Sequence, residues 1–288
     1  MSSLVEQSKR SAAFAAVDKH VLPSVRVLGI GSGSTVVYAV DRLLELKNQN
    51  KLNPDLVCVP TSFQSKQLIT DAGLRSADLD DLSILDPEQG GFKSIDVTID
   101  GADEVTIQSL TRKTRLLIKK DRHKNQMLNA IKGGGAAHLR EKLVANASNK
   151  FVLIADSRKD SQLLGEKWDK GIPVEVSPLA WRTISRQLER MCSIQSGAVS
   201  LFELQAPVAQ LRQAVRKAGP VVTDNGNFIL DVHVGKIYDP PAVEQLFKMI
   251  PGVIEVGVFS GMADEAWFGN EDGTIACRIP KSEMKKLD

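Results

Sequence analysis

The chain has 288 residues, 42% of them hydrophobic and 25% charged, with a formal net charge of +2, which is typical of one large or two smaller globular domains. Nearly balanced charges give no reason to expect nucleic acid or an anionic membrane as the main partner. No apolar run reaches the roughly 18 residues of a membrane helix, no secretory signal is recognisable, and the 3 cysteines are widely spaced, so we expect a cytoplasmic protein.

Strands and helices alternate through the first half of the chain. Apolar positions at helical spacing over 4–21 predict a helix, and Ser62 suits the N-cap of another helix that runs through Ile69. The remaining segments are predicted strands (25–30, 56–59, 95–99, 151–155) and predicted helices (36–47, 136–147). Because these strands are apolar throughout, the pattern indicates an α/β fold with a parallel sheet covered on both faces.

The pattern changes after Gly171. We predict a strand over 173–176, helices over 179–191 and 242–249, and two strand-like runs over 221–232 around Asn225-Gly226, a strong hairpin signal. This mixture indicates a smaller α+β domain at 172–256. Short strands near 256–259, 265–268 and 275–279 fit either domain, and we assign 257–288, with 1–171, to the larger one.

A glycine-rich turn, Gly29-Ile30-Gly31-Ser32-Gly33-Ser34-Thr35, follows the first strand and precedes a helix. The helix N-terminus offers N–H groups and partial positive charge, which suit a phosphate. The dinucleotide pattern G-x-G-x-x-G fails here, since Ser34 or Val36 stands at the third glycine. A small phosphorylated ligand fits better, with Ser32, Ser34 and Thr35 as hydroxyl donors; the alternative is a turn whose glycines serve packing alone.

Three acids follow another strand in Asp100-Gly101-Ala102-Asp103-Glu104, at the carboxyl edge where open α/β sheets bind ligands. Mutual repulsion of such acids raises the pKa of at least one of them toward the range useful for acid/base catalysis. The alternative is an exposed helix cap. A metal site ranks low because no His or Cys accompanies the acids.

The segment Lys132-Gly133-Gly134-Gly135 is the sharpest local signal. Three consecutive glycines cost backbone entropy, which indicates close approach of a ligand or of another backbone, and Lys132 supplies a charge for an oxyanion or phosphate. Glu141 lies in the helix that follows. Taken alone, that glutamate is an ordinary surface acid.

In combination these motifs resemble the ribose-5-phosphate isomerase family of the A type. The resemblance covers nearly the whole chain, in order: GIGSGSTVVYAVDRL, VCVPTSFQSKQLI, DVTIDGADEV, IKGGGAAHLREKLVA, FVLIADSRKD, GIPVEVSPLAW, AGPVVTDNGNFILDV and MIPGVIEVGVF. It implies interconversion of D-ribose 5-phosphate and D-ribulose 5-phosphate in the non-oxidative pentose phosphate pathway. It also implies a Rossmann-like domain with a smaller α+β domain for oligomerisation, no metal or organic cofactor, and a homodimer or homotetramer.

The resemblance also implies roles for matching residues. Glu141 matches the general base that moves a proton between C1 and C2 through an enediolate. Asp100 and Asp103 match acids that assist ring opening and proton movement between the oxygens, and Lys132 matches a residue near the developing oxyanion. The remaining matches bind substrate: Ser32, Gly33, Ser34, Thr35, Gly101, Ala102, Gly133, Gly134, Gly135 and Lys159.

One segment departs from the family pattern. Val105–Ile131 separates the two motifs by more residues than the family has, and removal of roughly Thr106–Met127 would restore its spacing. We hypothesise an insertion, with a retained non-coding segment as one origin that transcript sequencing would test. Its basic part, Arg112–Lys124, is by default a solvated loop; a nucleic-acid arm lacks a supporting basic or aromatic cluster.

Three rival functions remain. A non-catalytic sugar-phosphate sensor on the same fold would need the phosphate loop but neither Glu141 nor Lys132. An amino-sugar phosphate deaminase or a CoA transferase of similar architecture is disfavoured by the two combined motifs. A nucleic-acid binder would show strongly salt-dependent binding.

Overall fold

A computed structural model describes residues 2–81, 94–109, 126–194, 200–203 and 206–281. The α-helices in these ranges are α1 Ser2–His20, α2 Ser34–Asn48, α3 Phe63–Asp71, α4 His138–Asn146, α5 Trp181–Ile194 and α6 Pro240–Lys248. The strands are β1 Val27–Ile30, β2 Val57–Pro60, β3 Arg75–Ser76, β4 Ile95–Gly101, β5 Glu104–Ser109, β6 Gln126–Ile131, β7 Ser148–Asp156, β8 Asp160–Ser161, β9 Ile172–Val176, β10 Val208–Leu211, β11 Phe228–His233, β12 Val253–Val256, β13 Val258–Ser260, β14 Glu265–Gly269 and β15 Ile275–Arg278. None of the helices in these ranges has the length and apolar character needed to cross a membrane.

The chain divides into two compact units. The first comprises Met1–Ala102, Ala137–Lys159 and Met262–Cys277, and the second comprises Asp103–Ala136, Asp160–Gly261 and Arg278–Asp288. These boundaries differ from the domains predicted from the sequence, because 103–136, 160–171, 257–261 and 278–288 join the second unit. The oligomerisation role of the smaller predicted domain stays a prediction.

The first unit contains a seven-stranded sheet in the order β15-β14-β7-β4-β1-β2-β3. The pairs from β14 to β3 are parallel, which confirms the predicted α/β architecture. Val17 of α1 and Leu43 of α2 pack in one buried cluster with Ile30 of β1. Parallel order brings the carboxyl ends of β1, β2, β4 and β7 to one edge of the sheet.

Ser62 caps α3 as predicted. Its side-chain oxygen accepts a hydrogen bond from the Ser65 N–H at 3.1 Å, and the Ser65 hydroxyl oxygen accepts one from the Ser62 N–H at 2.9 Å. This reciprocal capping box satisfies two N–H groups at the helix start.

The second unit contains an antiparallel sheet in the order β10-β11-β9-β12. Residues of α5 and α6, including Leu188 and Phe247, pack with Val174 and Val232 in its core. The predicted hairpin is correct only in its turn. Gly226 has a positive φ of 79°, and the run before the turn makes only an isolated bridge, Val222 to Phe228, instead of a strand.

A second four-stranded sheet of this unit, β13-β6-β5-β8, was not predicted. Strands β5 and β6 are antiparallel, from Glu104 opposite Ile131 to Ser109 opposite Gln126. Thr106, the approximate start of the hypothesised insertion, is buried in β5 and donates its hydroxyl hydrogen to Gln162 O at 2.7 Å. The predicted solvated loop, Arg112–Lys124, lies outside the described residues.

A buried acid at the start of β14 connects three elements of the first unit. Glu265 accepts hydrogen bonds from His20 Nε2 at 2.9 Å, from Trp267 Nε1 at 3.0 Å and from Lys150 Nζ at 2.7 Å. Burial by itself would raise the pKa of Glu265, but the Lys150 bond and the other donors outweigh it and hold the pKa below its ordinary value of 4.5.

Replacement of Glu265 should reduce the dependence of the free energy of unfolding on acidic pH. Since the folded-state pKa is lowered, the stabilisation from Glu265 is complete above about pH 4.5 and is lost as the pH falls through the folded-state value. We expect Glu265→Gln to lower the free energy of unfolding by about 1–3 kcal/mol at pH 7 and to flatten its fall below pH 4.5, as measured by urea unfolding. The exposed Glu271→Gln should change neither; equal pH profiles for Glu265→Gln and the parent would refute this.

Candidate functional site

The turn between β1 and α2 is built around the carboxylate of Asp100. The Ser32 N–H donates to Asp100 Oδ1 at 3.0 Å, and the Gly31 N–H donates to Ile99 O at 2.9 Å. A Cβ on Gly31 would lie 1.9 Å from Asp100 Oδ1, so only glycine fits there. Gly33 has a φ of 104°, which also favours glycine.

The hydroxyl of Ser32 belongs to a polar network with the turn after β2. Its oxygen lies 2.8 Å from Thr61 Oγ1, and its O–H donates to Ser62 Oγ at 2.7 Å. Next to it, the Gly33 N–H donates to Gln64 Oε1 at 2.9 Å. The loop is thus fixed in place by side chains that sequence reasoning did not assign to the site.

Asp100 is fully buried at the end of β4. Its Oδ1 accepts a second backbone hydrogen bond, from the Gly101 N–H at 2.7 Å. Two N–H donors on one oxygen fix the orientation of the carboxylate. Gly101 and Ala102, the predicted substrate-binding neighbours, are half-buried.

Glu141 faces the interior of the first unit. It is 4% exposed and lies on the helical face of α4 that also carries His138, Val144 and Ala145, all of them buried. Val144 packs in a cluster with Val59 and Ile95, which orients that face inward. The default interpretation of Glu141 as a surface acid is therefore wrong.

The other predicted substrate-binding residues of this unit differ in exposure. Ser34 is exposed at the start of α2, whereas Thr35 is buried. Lys159 is half-buried and ends a 3-10 helix, Ser157–Lys159, directly after β7. The structure thus places Ser34 and Lys159 after two strands of the same parallel sheet.

In the second unit, Asp103 and the glycine run contact each other directly. The Asp103 N–H donates to Ile131 O at 2.9 Å, and the Gly134 N–H donates to Asp103 Oδ2 at 2.7 Å. A Cβ on Gly134 would lie 2.6 Å from Asp103 Oδ1 and 2.9 Å from the Trp168 ring. One of the three glycines is therefore explained by packing against a predicted catalytic acid.

The rest of the run forms a tight turn. Gly133 and Ala136 have positive φ values of 100° and 60°, and the Ala136 N–H donates to Gly133 O at 2.9 Å. A Cβ on Gly135 would meet nothing within 4 Å. Lys132 is buried, its N–H donates to Gly257 O at 2.8 Å, and its Nζ lies 5.5 Å from the centroid of the Phe259 ring.

Glu104 does not belong with the two aspartates. It is fully buried and accepts hydrogen bonds from Ser161 Oγ at 2.6 Å, from the Gly165 N–H at 2.6 Å and from the Lys167 N–H at 2.7 Å. These donors use both oxygens to hold the 161–167 segment against β5. The interpretation of DGADE as one cluster of three reactive acids is corrected to two candidate acids and one structural acid.

Sequence reasoning missed a pair of residues that contacts the glycine run. Arg212 Nη1 donates to Gly133 O at 2.9 Å and to Gly134 O at 3.2 Å, and Asp231 accepts two hydrogen bonds from the same guanidinium. No local motif signals this contact, because Arg212 lies 79 residues from Gly133 in the chain.

The described ranges contain no group of three or more His, Cys, Asp or Glu side chains suited to hold a metal ion. Within the first unit the structure brings Ser32 to Asp100, and within the second it brings Asp103 to Gly134.

The packing of Gly134 predicts a difference between neighbouring glycines. We expect Gly134→Ala to lower the free energy of unfolding by about 1–3 kcal/mol, because the added methyl group overlaps Asp103 and Trp168. Gly135→Ala is the matched control and should lack this steric loss, since its Cβ enters open space. Urea unfolding of both variants checks the prediction; equal losses would show that Asp103 and Trp168 do not restrict Gly134.

The chain is similar to known proteins over most of its length. The sequence model of the family described as "Ribose 5-phosphate isomerase A (phosphoriboisomerase A)" matches residues 57–116 and 120–273. The two matched ranges together include all of the hypothesised insertion except residues 117–119.

Relatives match over nearly the whole chain. A ribose-5-phosphate isomerase of Cryptococcus neoformans is 43% identical over 98% of this chain and 82% of its own length, and that of Homo sapiens is 44% identical over 96% and 74%. A solved D-ribose-5-phosphate isomerase in complex with phospho-erythronic acid is similar with a TM-score of 0.74 and 34% identity, over 96% of this chain and 99% of the other. On these matches, the chain belongs to the ribose-5-phosphate isomerase A family.

Proposed function

We propose that this chain interconverts D-ribose 5-phosphate and D-ribulose 5-phosphate, as an aldose–ketose isomerase of the non-oxidative pentose phosphate pathway. The observation that carries the proposal is the burial of Glu141, at 4% exposure, in a member of this family. A non-catalytic sensor needs no buried carboxylate at this position, so the enzyme is favoured.

Glu141 serves as the general base. The reaction moves a proton from C2 of the open-chain aldose to C1, and the reverse reaction moves it back. A carboxylate can accept the proton and return it to the neighbouring carbon. Burial keeps water from the carboxylate and so limits loss of that proton to solvent.

Negative charge develops on oxygen in the enediolate, and Lys132 supplies the compensating charge. Its backbone is fixed by the Gly257 carbonyl, so little reorganisation is required as the charge develops. Asp100 and Asp103 assist ring opening and proton transfer between O1 and O2. Both have carboxylates oriented by backbone N–H donors.

The phosphate binds at the start of α2. The N–H groups of the first helical turn carry partial positive charge, and the exposed hydroxyl of Ser34 adds a donor. Lys159 adds a positive charge for the sugar phosphate. The remaining proposed substrate contacts are Ser32, Gly33, Thr35, Gly101, Ala102, Gly133, Gly134 and Gly135.

We assign no metal or organic cofactor to this reaction, and we propose a cytoplasmic homodimer or homotetramer. Proton transfer by carboxylates with a lysine as the cation needs no further group.

An assay of purified protein for ribulose 5-phosphate formation from ribose 5-phosphate, with EDTA present, tests the proposal. We expect turnover by the parent, and a fall in kcat of about 10²–10⁴-fold for Glu141→Gln with a smaller change in KM, since the amide keeps the shape but cannot accept the proton.

The exposed Glu271→Gln is the matched control and should turn over like the parent. A folded parent without activity would overturn the proposed function. Turnover of Glu141→Gln within twofold of the parent would overturn only the assignment of the base.

A further inference from the structure

We infer that Arg212 and Asp231 are positioning residues for Asp103, and that they act through the single peptide group that joins Gly133 to Gly134. The inference rests on the proposed function, because it concerns how one of the proposed catalytic acids is oriented. All of these residues lie in the second unit.

Both ends of one peptide group are engaged. The carbonyl oxygen of Gly133 accepts a hydrogen bond from Arg212 Nη1 at 2.9 Å, and the N–H of Gly134 donates to Asp103 Oδ2 at 2.7 Å. These two atoms belong to the same planar amide, so they cannot rotate independently. A guanidinium that fixes the carbonyl therefore also fixes the direction in which the N–H points at Asp103.

The guanidinium is itself held in a rigid fork. Arg212 Nε donates to Asp231 Oδ2 at 2.8 Å and Nη2 donates to Asp231 Oδ1 at 2.5 Å, and the two side chains are only 16% and 15% exposed. A bidentate pair of this kind sets the plane of the guanidinium and leaves Nη1 aimed at the glycine run. A lysine could not supply both sets of contacts.

The backbone beneath the pair belongs to the antiparallel sheet. Asp231 lies in β11, where it is paired with Gln210 and with Pro173. The Arg212 N–H donates to Ile229 O at 2.9 Å, and the Arg212 carbonyl accepts from the Val221 N–H at 2.9 Å. Arg212 directly follows β10, and these backbone hydrogen bonds hold it beside β11, the strand that carries Asp231.

The guanidinium also polarises this peptide group. A positive group on the carbonyl oxygen polarises the peptide and strengthens its N–H as a donor, so the bond to the Asp103 carboxylate gains from cooperativity. The Gly133 carbonyl accepts from the Ala136 N–H as well, which closes the turn on the same oxygen. Loss of Arg212 should leave the turn closed but let the Gly133–Gly134 amide tilt.

A kinetic comparison of Arg212→Ala, Arg212→Lys and Asp231→Asn tests the inference. We expect kcat to fall about ten- to a hundredfold for Arg212→Ala, with a change in KM of less than about threefold, because misorientation of Asp103 affects the transition state more than binding. The kcat values of Arg212→Lys and Asp231→Asn should lie between those of Arg212→Ala and the parent. The exposed Arg216→Ala is the matched control and should keep parent kinetics.

Chemical rescue separates positioning from general stability. Methylguanidinium at millimolar concentration should raise kcat of Arg212→Ala and should leave Asp103→Asn unchanged, since only the first variant lacks a guanidinium. Near-parent kcat for Arg212→Ala, or a loss of kcat that follows its unfolded fraction without rescue, would overturn the inference. An inactive parent would instead overturn the proposed function, so the two failures are distinguishable.

Discussion

A buried carboxylate is tolerated only where donors surround it, and this requirement shapes both units. In the first unit the fully buried Asp100 accepts hydrogen bonds from the N–H groups of Ser32 and Gly101, and in the second unit the half-buried Asp103 accepts one from the N–H of Gly134. The glycines follow from the same requirement, since a Cβ on Gly31 or Gly134 would overlap the carboxylate. Each unit therefore pairs one glycine-rich motif with one acid of the acidic motif, through hydrogen bonds from backbone N–H groups.

The acidic motif divides because its second and third acids have different hydrogen-bond donors. Asp103 precedes the strand and contacts Gly134, whereas Glu104, the first residue of the strand, accepts its three hydrogen bonds from the 161–167 segment. Repulsion between neighbouring acids in the sequence is thus reduced by separate sets of donors.

Local patterns predicted local structure well. The parallel strands, the Ser62 cap and the helix that carries Glu141 follow from apolar spacing and capping rules. The Asn225-Gly226 turn is also local, but the strand before it is not. Both edges of β11 are already paired, to β10 and to β9, so the run before the turn can bridge only its first residue, Phe228.

Features that depend on partners distant in the chain were not predictable. Strands β5 and β6 pair although residues 110–125 separate them in the sequence, and Arg212 contacts the glycine run although 79 positions separate it from Gly133. The inward orientation of Glu141 depends on the packing of Val144 against Val59 and Ile95, whose contact no spacing within α4 reveals. The proposed role of Glu141 as general base comes from the family resemblance, whereas its burial is explained by the fold.

A double-mutant cycle in kcat/KM tests most directly whether the shared peptide group orients the acid. The single variants Asp103→Asn and Arg212→Ala are compared with the variant that carries both changes. If Arg212 acts through Asp103, the double variant should be about as slow as Asp103→Asn alone, because the orientation of a lost carboxylate no longer matters. Losses that add fully in the double variant would contradict the account.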